Sequence, residues 1–190
     1  MEKYKIIYAD PAWSYDDKSL NRGGAERHYR TMSVEDIKNL QVEQLADEDC
    51  ALFMWATFPK LQEALDVIKA WGFEYKTNAF VWVKRNKVAD SLFWGMGRWT
   101  RSNAEVCLFA VKGKPQRVGK GVHSVIESPI DVHSKKPAET RERIVELMGD
   151  VSRVELFARQ KIEGWDSWGN EVLSDVDLSG VKKFNIEDYL

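Results

Sequence analysis

The chain has 190 residues, enough for one domain, and 44% of them are apolar, enough for a sizeable core. A formal charge of −2 excludes a global basic field, so any contact with nucleic acid has to run through a local patch. The charged start and the lack of an apolar run near ~20 residues argue against a signal peptide or membrane span, and the expectation is a cytoplasmic protein.

Residues 5–13 read Lys5-Ile6-Ile7-Tyr8-Ala9-Asp10-Pro11-Ala12-Trp13. The apolar, β-branched first half predicts a buried strand that stops at Pro11, which removes a ladder donor. An acid, a proline and a tryptophan then stand at the carboxyl end of that strand, the edge where open α/β sheets hold ligands. The plain reading is a strand leaving into a turn, with Trp13 as a core lid. The chemical reading starts from an exocyclic amine on a heteroaromatic base, whose lone pair is delocalised into the ring. Two acceptors on its N–H groups draw the nitrogen toward a tetrahedral shape and aim the lone pair at an electrophile. Asp10 offers one acceptor, the rigidly held carbonyl of Pro11 the other, and Trp13 a π-face.

Residues 15–30 are polar and contain Gly23-Gly24, as expected for a mobile loop after the catalytic strand. Ser33 is an N-cap candidate with Asp36 three residues on, and Ile37, Leu40 and Leu45 follow at partly helical spacing. Cys50 to Thr57 predicts a second buried strand. Pro59 opens an amphipathic helix whose face carries Leu61, Ala64, Leu65, Ile68 and Trp71, with Gly72 ending it. Thr77 to Lys84 predicts a third strand, and strand, helix, strand at this spacing predicts a parallel crossover.

The pattern breaks over 85–104, where Arg85, Lys87, Arg98 and Arg101 interleave with Phe93, Trp94 and Trp99. Rings that stack, guanidiniums that hold phosphate and glycines that admit close backbone suit a nucleic-acid surface. An ordinary loop or a homodimer contact over 85–101 is the alternative. Glu105 to Val111 predicts another strand. Lys112, Lys114, Arg117 and Lys120 mark a second basic stretch over 112–128, a recognition loop or a solvated connector. Lys135 and Lys136 precede a helix over Ala138 to Leu147; cations there oppose the helix dipole and make more sense in an anion site. Arg153 to Arg159 predicts the last strand, running into Gly164 to Glu171. Residues 173–190 form an acidic, sparsely apolar tail. Cys50 and Cys107 sit in apolar runs and read as buried thiols. His28, His123 and His133 are scattered and give a metal site little support.

These stretches carry a resemblance. Asp10-Pro11-Ala12-Trp13 is similar to the Asp-Pro-Pro-aromatic motif of amino-directed nucleic-acid methyltransferases, with Ala12 in place of the second proline. His28-Tyr29 with Thr31-Met32-Ser33, Leu52-Phe53-Met54-Trp55, Trp82-Val83-Lys84, Asn103-Ala104-Glu105, His133 to Pro137, Leu156 to Arg159 and Gly164 to Glu171 follow in order. Together they resemble a compact prokaryotic or phage member of the family named for the seventy-kilodalton subunit of the eukaryotic mRNA adenine methyltransferase.

The resemblance implies one methyltransferase domain over 1–172, with a Rossmann-like α/β fold, a mostly parallel sheet and helices on both faces. It implies S-adenosylmethionine as cofactor and transfer of its methyl group to adenine N6 in nucleic acid, DNA being preferred to RNA. Asp10, Pro11 and Trp13 would be catalytic. Asp10, Lys136, Arg159, Asn170 and Glu171 would hold the cofactor; Tyr29, Trp55, Arg98, Arg101 and Glu105 would face the substrate. Rival readings are an RNA adenine or cytosine-N4 methyltransferase and a silent nucleic-acid-binding subunit. A dinucleotide-binding Rossmann domain would want a Gly-x-Gly-x-x-Gly turn after the first strand, and that turn is missing.

Overall fold

A computed structural model describes residues 3–14, 31–131 and 135–178. Tyr29, the 15–30 loop, His28, His133 and the last part of the tail lie outside the described residues. Strands β1 (Tyr4–Ala9), β2 (Ala46–Ala56), β3 (Glu74–Arg85), β4 (Ala104–Lys112), β5 (Val125–Pro129), β6 (Arg153–Leu156) and β7 (Asp166–Trp168) form one sheet in the order β5-β3-β4-β2-β1-β6-β7. Helices α1 (Val34–Lys38), α2 (Leu61–Ala70) and α3 (Glu139–Met148) cover it. No helix among the described residues is long and apolar enough to cross a membrane.

Side-chain alternation divides the core in two. Ile7 and Ala9 of β1, with Cys50, Leu52 and Met54 of β2, face a layer that includes Ile37 of α1 and Ala64, Val67 and Ile68 of α2. Ile6 and Tyr8, with Ala51, Phe53 and Trp55, face the other layer, which includes Ile144 and Met148 of α3. Every residue from Cys50 to Ala56 is therefore buried, as a strand covered on both faces requires. The expected thiols are buried: Cys50 lies in the first layer and Cys107 in the second.

The helix starts follow their sequence signals. The Ser33 hydroxyl accepts the Asp36 N–H at 3.1 Å and caps α1. Phe58–Lys60 forms a short 3-10 turn carrying Pro59, and α2 starts behind it at Leu61. Gly72 ends that helix region at a φ of 80°, where a side chain would be strained. Trp71 turns its indole N–H to the Ile37 carbonyl at 2.8 Å, tying α2 to α1.

The expected crossover between β2 and β3 needs correction. The two strands do share a direction, but β4 lies between them and is antiparallel to both. The other neighbouring pairs are parallel. Part of the 112–128 stretch is β5, and its basic segment lies at the opposite sheet edge from the end of β1. There Val118 and Gly119 donate to the Leu147 carbonyl near the end of α3, at 2.8 and 3.1 Å.

One feature of this order positions the site. β1 is flanked by β2 on one side and β6 on the other. The connection toward β2 carries α1 on one face, and the connection into β6 carries α3 on the other face. The carboxyl end of β1 is thus a topological switch point, where a crevice opens between diverging connections.

Candidate active site

Asp10 follows directly on β1, and its backbone N–H points to the Leu156 carbonyl of β6 at 3.4 Å. Its carboxylate meets Lys136, with Nζ 3.0 Å from Oδ2. Lys136 also lies 3.2 Å from Glu105 Oε2, and Lys84 pairs with Glu105 Oε1. Two acids and two lysines from the ends of β1 and β3, the start of β4 and the approach to α3 therefore form one alternating charge chain. Its members differ in exposure: Lys136 and Glu105 keep 9% of their side-chain surface, whereas Asp10 keeps 29%. The open end of the chain is Asp10.

Packing around the site pushes the Asp10 carboxyl above its ordinary value, against the pull of Lys136. Burial works against the Lys136 ammonium, but Asp10 and Glu105 outweigh it and raise its pKa. Burial also opposes ionised Glu105, yet Lys136 and Lys84 hold its carboxyl below the usual value. Lys136 is thus favoured as the ammonium and Glu105 as the carboxylate, while burial works against the ionised form of Asp10.

The motif residues beside Asp10 are firmly bonded. The Pro11 carbonyl accepts the Trp13 N–H at 2.9 Å, and the Ala12 carbonyl accepts the Met32 N–H at 2.9 Å. A carbonyl oxygen has two lone pairs, so Pro11 keeps capacity for a second donor.

The structure places Trp13, expected as a π-face, and Trp55, expected on the substrate side, inside the protein. Trp13 is 5% exposed and donates Nε1–H to the Trp55 carbonyl at 3.3 Å, as the core-lid reading has it. Trp55 is 1% exposed, and its ring centroid lies 5.7 Å from Lys136 Nζ. Its Nε1–H donates to the Tyr8 hydroxyl at 2.7 Å. Trp55 is thereby the floor under the lysine, where a cation gains from the ring's negative face.

Arg159 and Glu171 come together across the ends of β6 and β7, with Nε 3.7 Å from Oε1, and Asn170 is exposed beside them. The backbone here is tightly held. Phe157 has a φ of 63°, unusual for a non-glycine residue, and its ring stands edge-on to Trp168 at 5.4 Å. Ala158 donates to the Trp168 carbonyl at 2.9 Å. A Cβ on Gly169 would lie 2.1 Å from the Ala158 carbonyl oxygen, so only glycine fits this approach.

Of the expected patch cations, Arg85 pairs with Asp90 and with Glu127 at 2.5 Å, while Lys87 lies 3.5 Å from Asp131. Arg98 and Arg101 instead stack on indoles, over Trp99 at 5.6 Å and over Trp94 at 4.5 Å. Their loop leaves the end of β3 and re-enters at β4 one residue before Glu105, on the same sheet edge as Asp10.

Three contributors, Lys84, Glu155 and Arg141, were given no site role from sequence. Lys84 supports Glu105. Glu155 of β6 is 7% exposed and is gripped by Arg141 of α3 through two hydrogen bonds of 2.7 and 2.6 Å. The available signal was an acid inside the apolar run Val154-Glu155-Leu156, which needs a buried cation.

With this geometry stands a match to one family model, MT-A70, over residues 4–171. The chain belongs to the MT-A70 family. Within that family it is 34% identical over 190 residues to the Type II methyltransferase M.MunI of a Mycoplasma species, covering 90% of this chain and 78% of that protein. It is 30% identical to the N(6)-adenosine-methyltransferase MT-A70-like protein of Drosophila melanogaster, covering 90% of this chain and 27% of that protein. It is 27% identical to the mouse N(6)-adenine-specific methyltransferase METTL4, covering 90% of this chain and 38% of that protein. The chain thus spans well under half of these two animal relatives.

Proposed function

We propose that this protein transfers a methyl group to the N6 amine of adenine in nucleic acid, with DNA as the substrate. The carrying observation is Asp10: an open carboxylate at the switch point of the sheet, 3.0 Å from a buried lysine and followed by a carbonyl with spare acceptor capacity. Support comes from relatives named for adenine and adenosine methylation. DNA is preferred because the chain matches 78% of M.MunI, whereas the Drosophila protein named for adenosine is mostly additional sequence, with 27% matched.

The residues fit S-adenosylmethionine. A methionine moiety is a zwitterion, and Asp10 with Lys136 offers an acceptor for its ammonium and a cation for its carboxylate. A ribose diol and adenine edge want donors and acceptors in solvent reach, which Arg159, Asn170 and Glu171 supply. When bound, the cofactor supplies an electrophilic methyl on a sulfonium.

The chain's own residues act on the target amine. Asp10 accepts one N–H and the Pro11 carbonyl accepts the other, which draws the nitrogen lone pair out of the ring. As positive charge grows on nitrogen, the Asp10 carboxylate stabilises it, and the proton shed once the methyl is in place passes through Asp10 to solvent, leaving a neutral methylated amine. Lys136 and Glu105 keep Asp10 in place, and Arg98 with Arg101 hold phosphate. Trp13 fixes the turn from beneath.

The test is transfer from methyl-labelled cofactor to unmodified DNA and to RNA, followed by nucleoside analysis. N6-methyladenine in the DNA is the expected product. N6-methyladenosine from RNA alone would move the substrate, N4-methylcytosine would move the base, and no product from either would overturn the reading.

A further inference from the structure

The tip of the loop after β3 has a feature that the catalytic reading leaves unused. Met96 is 84% exposed and Trp99 89% exposed, whereas the large residues of the core are buried. The loop beneath them is built, not slack. Asn86 donates its side-chain amide to the Ser91 hydroxyl at 2.8 Å and to the Leu92 carbonyl at 3.1 Å, and Phe93 N–H reaches the Lys84 carbonyl at 2.8 Å. A Cβ on Gly95 would lie 1.9 Å from the Ser102 carbonyl oxygen. The two limbs of the loop therefore touch, and its apolar tip is left exposed to solvent.

The charge around the tip decides what it fits. From Ser91 to Ala104 there is no acidic residue, and Arg98 and Arg101 are the charged ones, in a chain of net charge −2. Each guanidinium lies over one indole. That arrangement offers a ring and a cation side by side, which suits stacked bases flanked by phosphates. The loop also roots next to Glu105, and Glu105 joins Asp10 through Lys136.

We propose that Met96 and Trp99 form a wedge that enters a duplex at the target step and fills the place of the adenine turned toward Asp10. This rests on the reading of the protein as an adenine methyltransferase. Apolar side chains inserted between base steps unstack them, and extrusion of a paired base costs least where something replaces it. A single strand has no partner stack to fill and needs no wedge.

The experiment compares Trp99→Ala, Met96→Ala and Trp99→Phe with the wild type on a randomised duplex pool and the same pool as single strands. The ratio of duplex to single-strand methylation should fall about ten-fold in Trp99→Ala, less in Met96→Ala, and recover in Trp99→Phe. Equal losses on both substrates would overturn the wedge. So would a change in sedimentation of the variant, which would make the tip a contact between copies of the chain. A second readout does not need turnover: fluorescence of 2-aminopurine placed in the duplex pool should rise with wild type and stay quenched with Trp99→Ala. If wild type raises that fluorescence but methylates neither pool, the wedge stands and the methyl-transfer reading fails. Equal fluorescence from wild type and Trp99→Ala would overturn the wedge alone.

Discussion

The ammonium of Lys136 stands 3.0 Å from the Asp10 carboxylate, while the same nitrogen lies 3.2 Å from Glu105. A shared cation of this kind lessens the repulsion between two neighbouring carboxylates, and at Asp10 it offsets part of the burial that favours the neutral acid. The ionised form of Asp10 is the one that can only accept, and so the form that takes an amine N–H.

Asp10 is the residue on which turnover should depend. Asp10→Ala removes a preorganised acceptor, and its single-turnover rate at saturating cofactor should fall about 100- to 1,000-fold. Asp10→Asn keeps one acceptor oxygen and should retain more activity than the alanine variant. The pH profile carries a sign as well. Because the Asp10 carboxyl titrates above its ordinary value of 3.8, the acid limb of the rate should lie above that value. Lys136→Met removes the main opposing pull, so the limb should move further toward neutral pH. A limb that moves to lower pH would contradict the pairing.

Glu105 should matter for stability with a different pH signature. Its carboxyl is held below the ordinary value of 4.5, so it stabilises the folded state above that pH. The contribution is lost as pH falls through the lowered folded value. Glu105→Gln leaves two lysines facing a neutral amide, and at neutral pH it should cost about 3–5 kcal/mol in chemical denaturation. At pH below the folded value of Glu105 the wild type and the variant should converge. A constant gap across pH would show that packing, not charge, carries the effect.

Cofactor affinity should respond at Asn170. Loss of one hydrogen-bonding side chain typically costs about 0.5–1.5 kcal/mol, so Asn170→Ala should weaken S-adenosylmethionine binding by a few-fold to about ten-fold in titration calorimetry. Gly169→Ala should do more damage, because its new methyl meets the Ala158 carbonyl. Unchanged affinity in Asn170→Ala would remove that residue from the pocket.

Salt dependence separates phosphate contact from protein contact. Replacing Arg98 and Arg101 together by alanine should lower the slope of log affinity against log salt by about 1.8 for duplex DNA, at about 0.9 for each phosphate lost. Cofactor binding should stay unchanged, since the two guanidiniums lie over Trp99 and Trp94 of their own loop and are not among the residues expected to hold the cofactor. An unaltered slope would take both arginines off the phosphates.

How far the molecule can be read from its sequence depends on the range of the interactions that set each part. β1, the buried run of β2 and the α2 face were legible because period 2 and period 3.6 are local signals; Val67 alone was missed on that face. β5 was not legible, since Ile126 is its single fully buried residue and the stretch around it is polar. β7 has three residues, too few for any period. The insertion of β4 between β2 and β3 was out of reach for another reason: pairing partners are chosen across the sheet, not along the chain. At the site, motif resemblance pointed to Asp10, Lys136 and Glu105, and the structure brings those together. Trp13 was expected as a face for the base and Trp55 on the substrate side because aromatic residues near an acid look alike in sequence, whether they lie above it or below. In the structure the two indoles are 5% and 1% exposed.

The reversed direction of β4 gives the molecule a place where length is free. β3 and β4 are sequential and antiparallel, so the segment between them is a hairpin whose two ends are already fastened side by side. Loop closure there scarcely depends on how many residues are added. The other strand neighbours in this sheet are parallel or distant in sequence, and their connections must cross a face of the sheet. Segments from other chains could be grafted between Arg85 and Ala104 without re-routing a single strand, which makes this hairpin the position at which to ask whether the loop sets target preference.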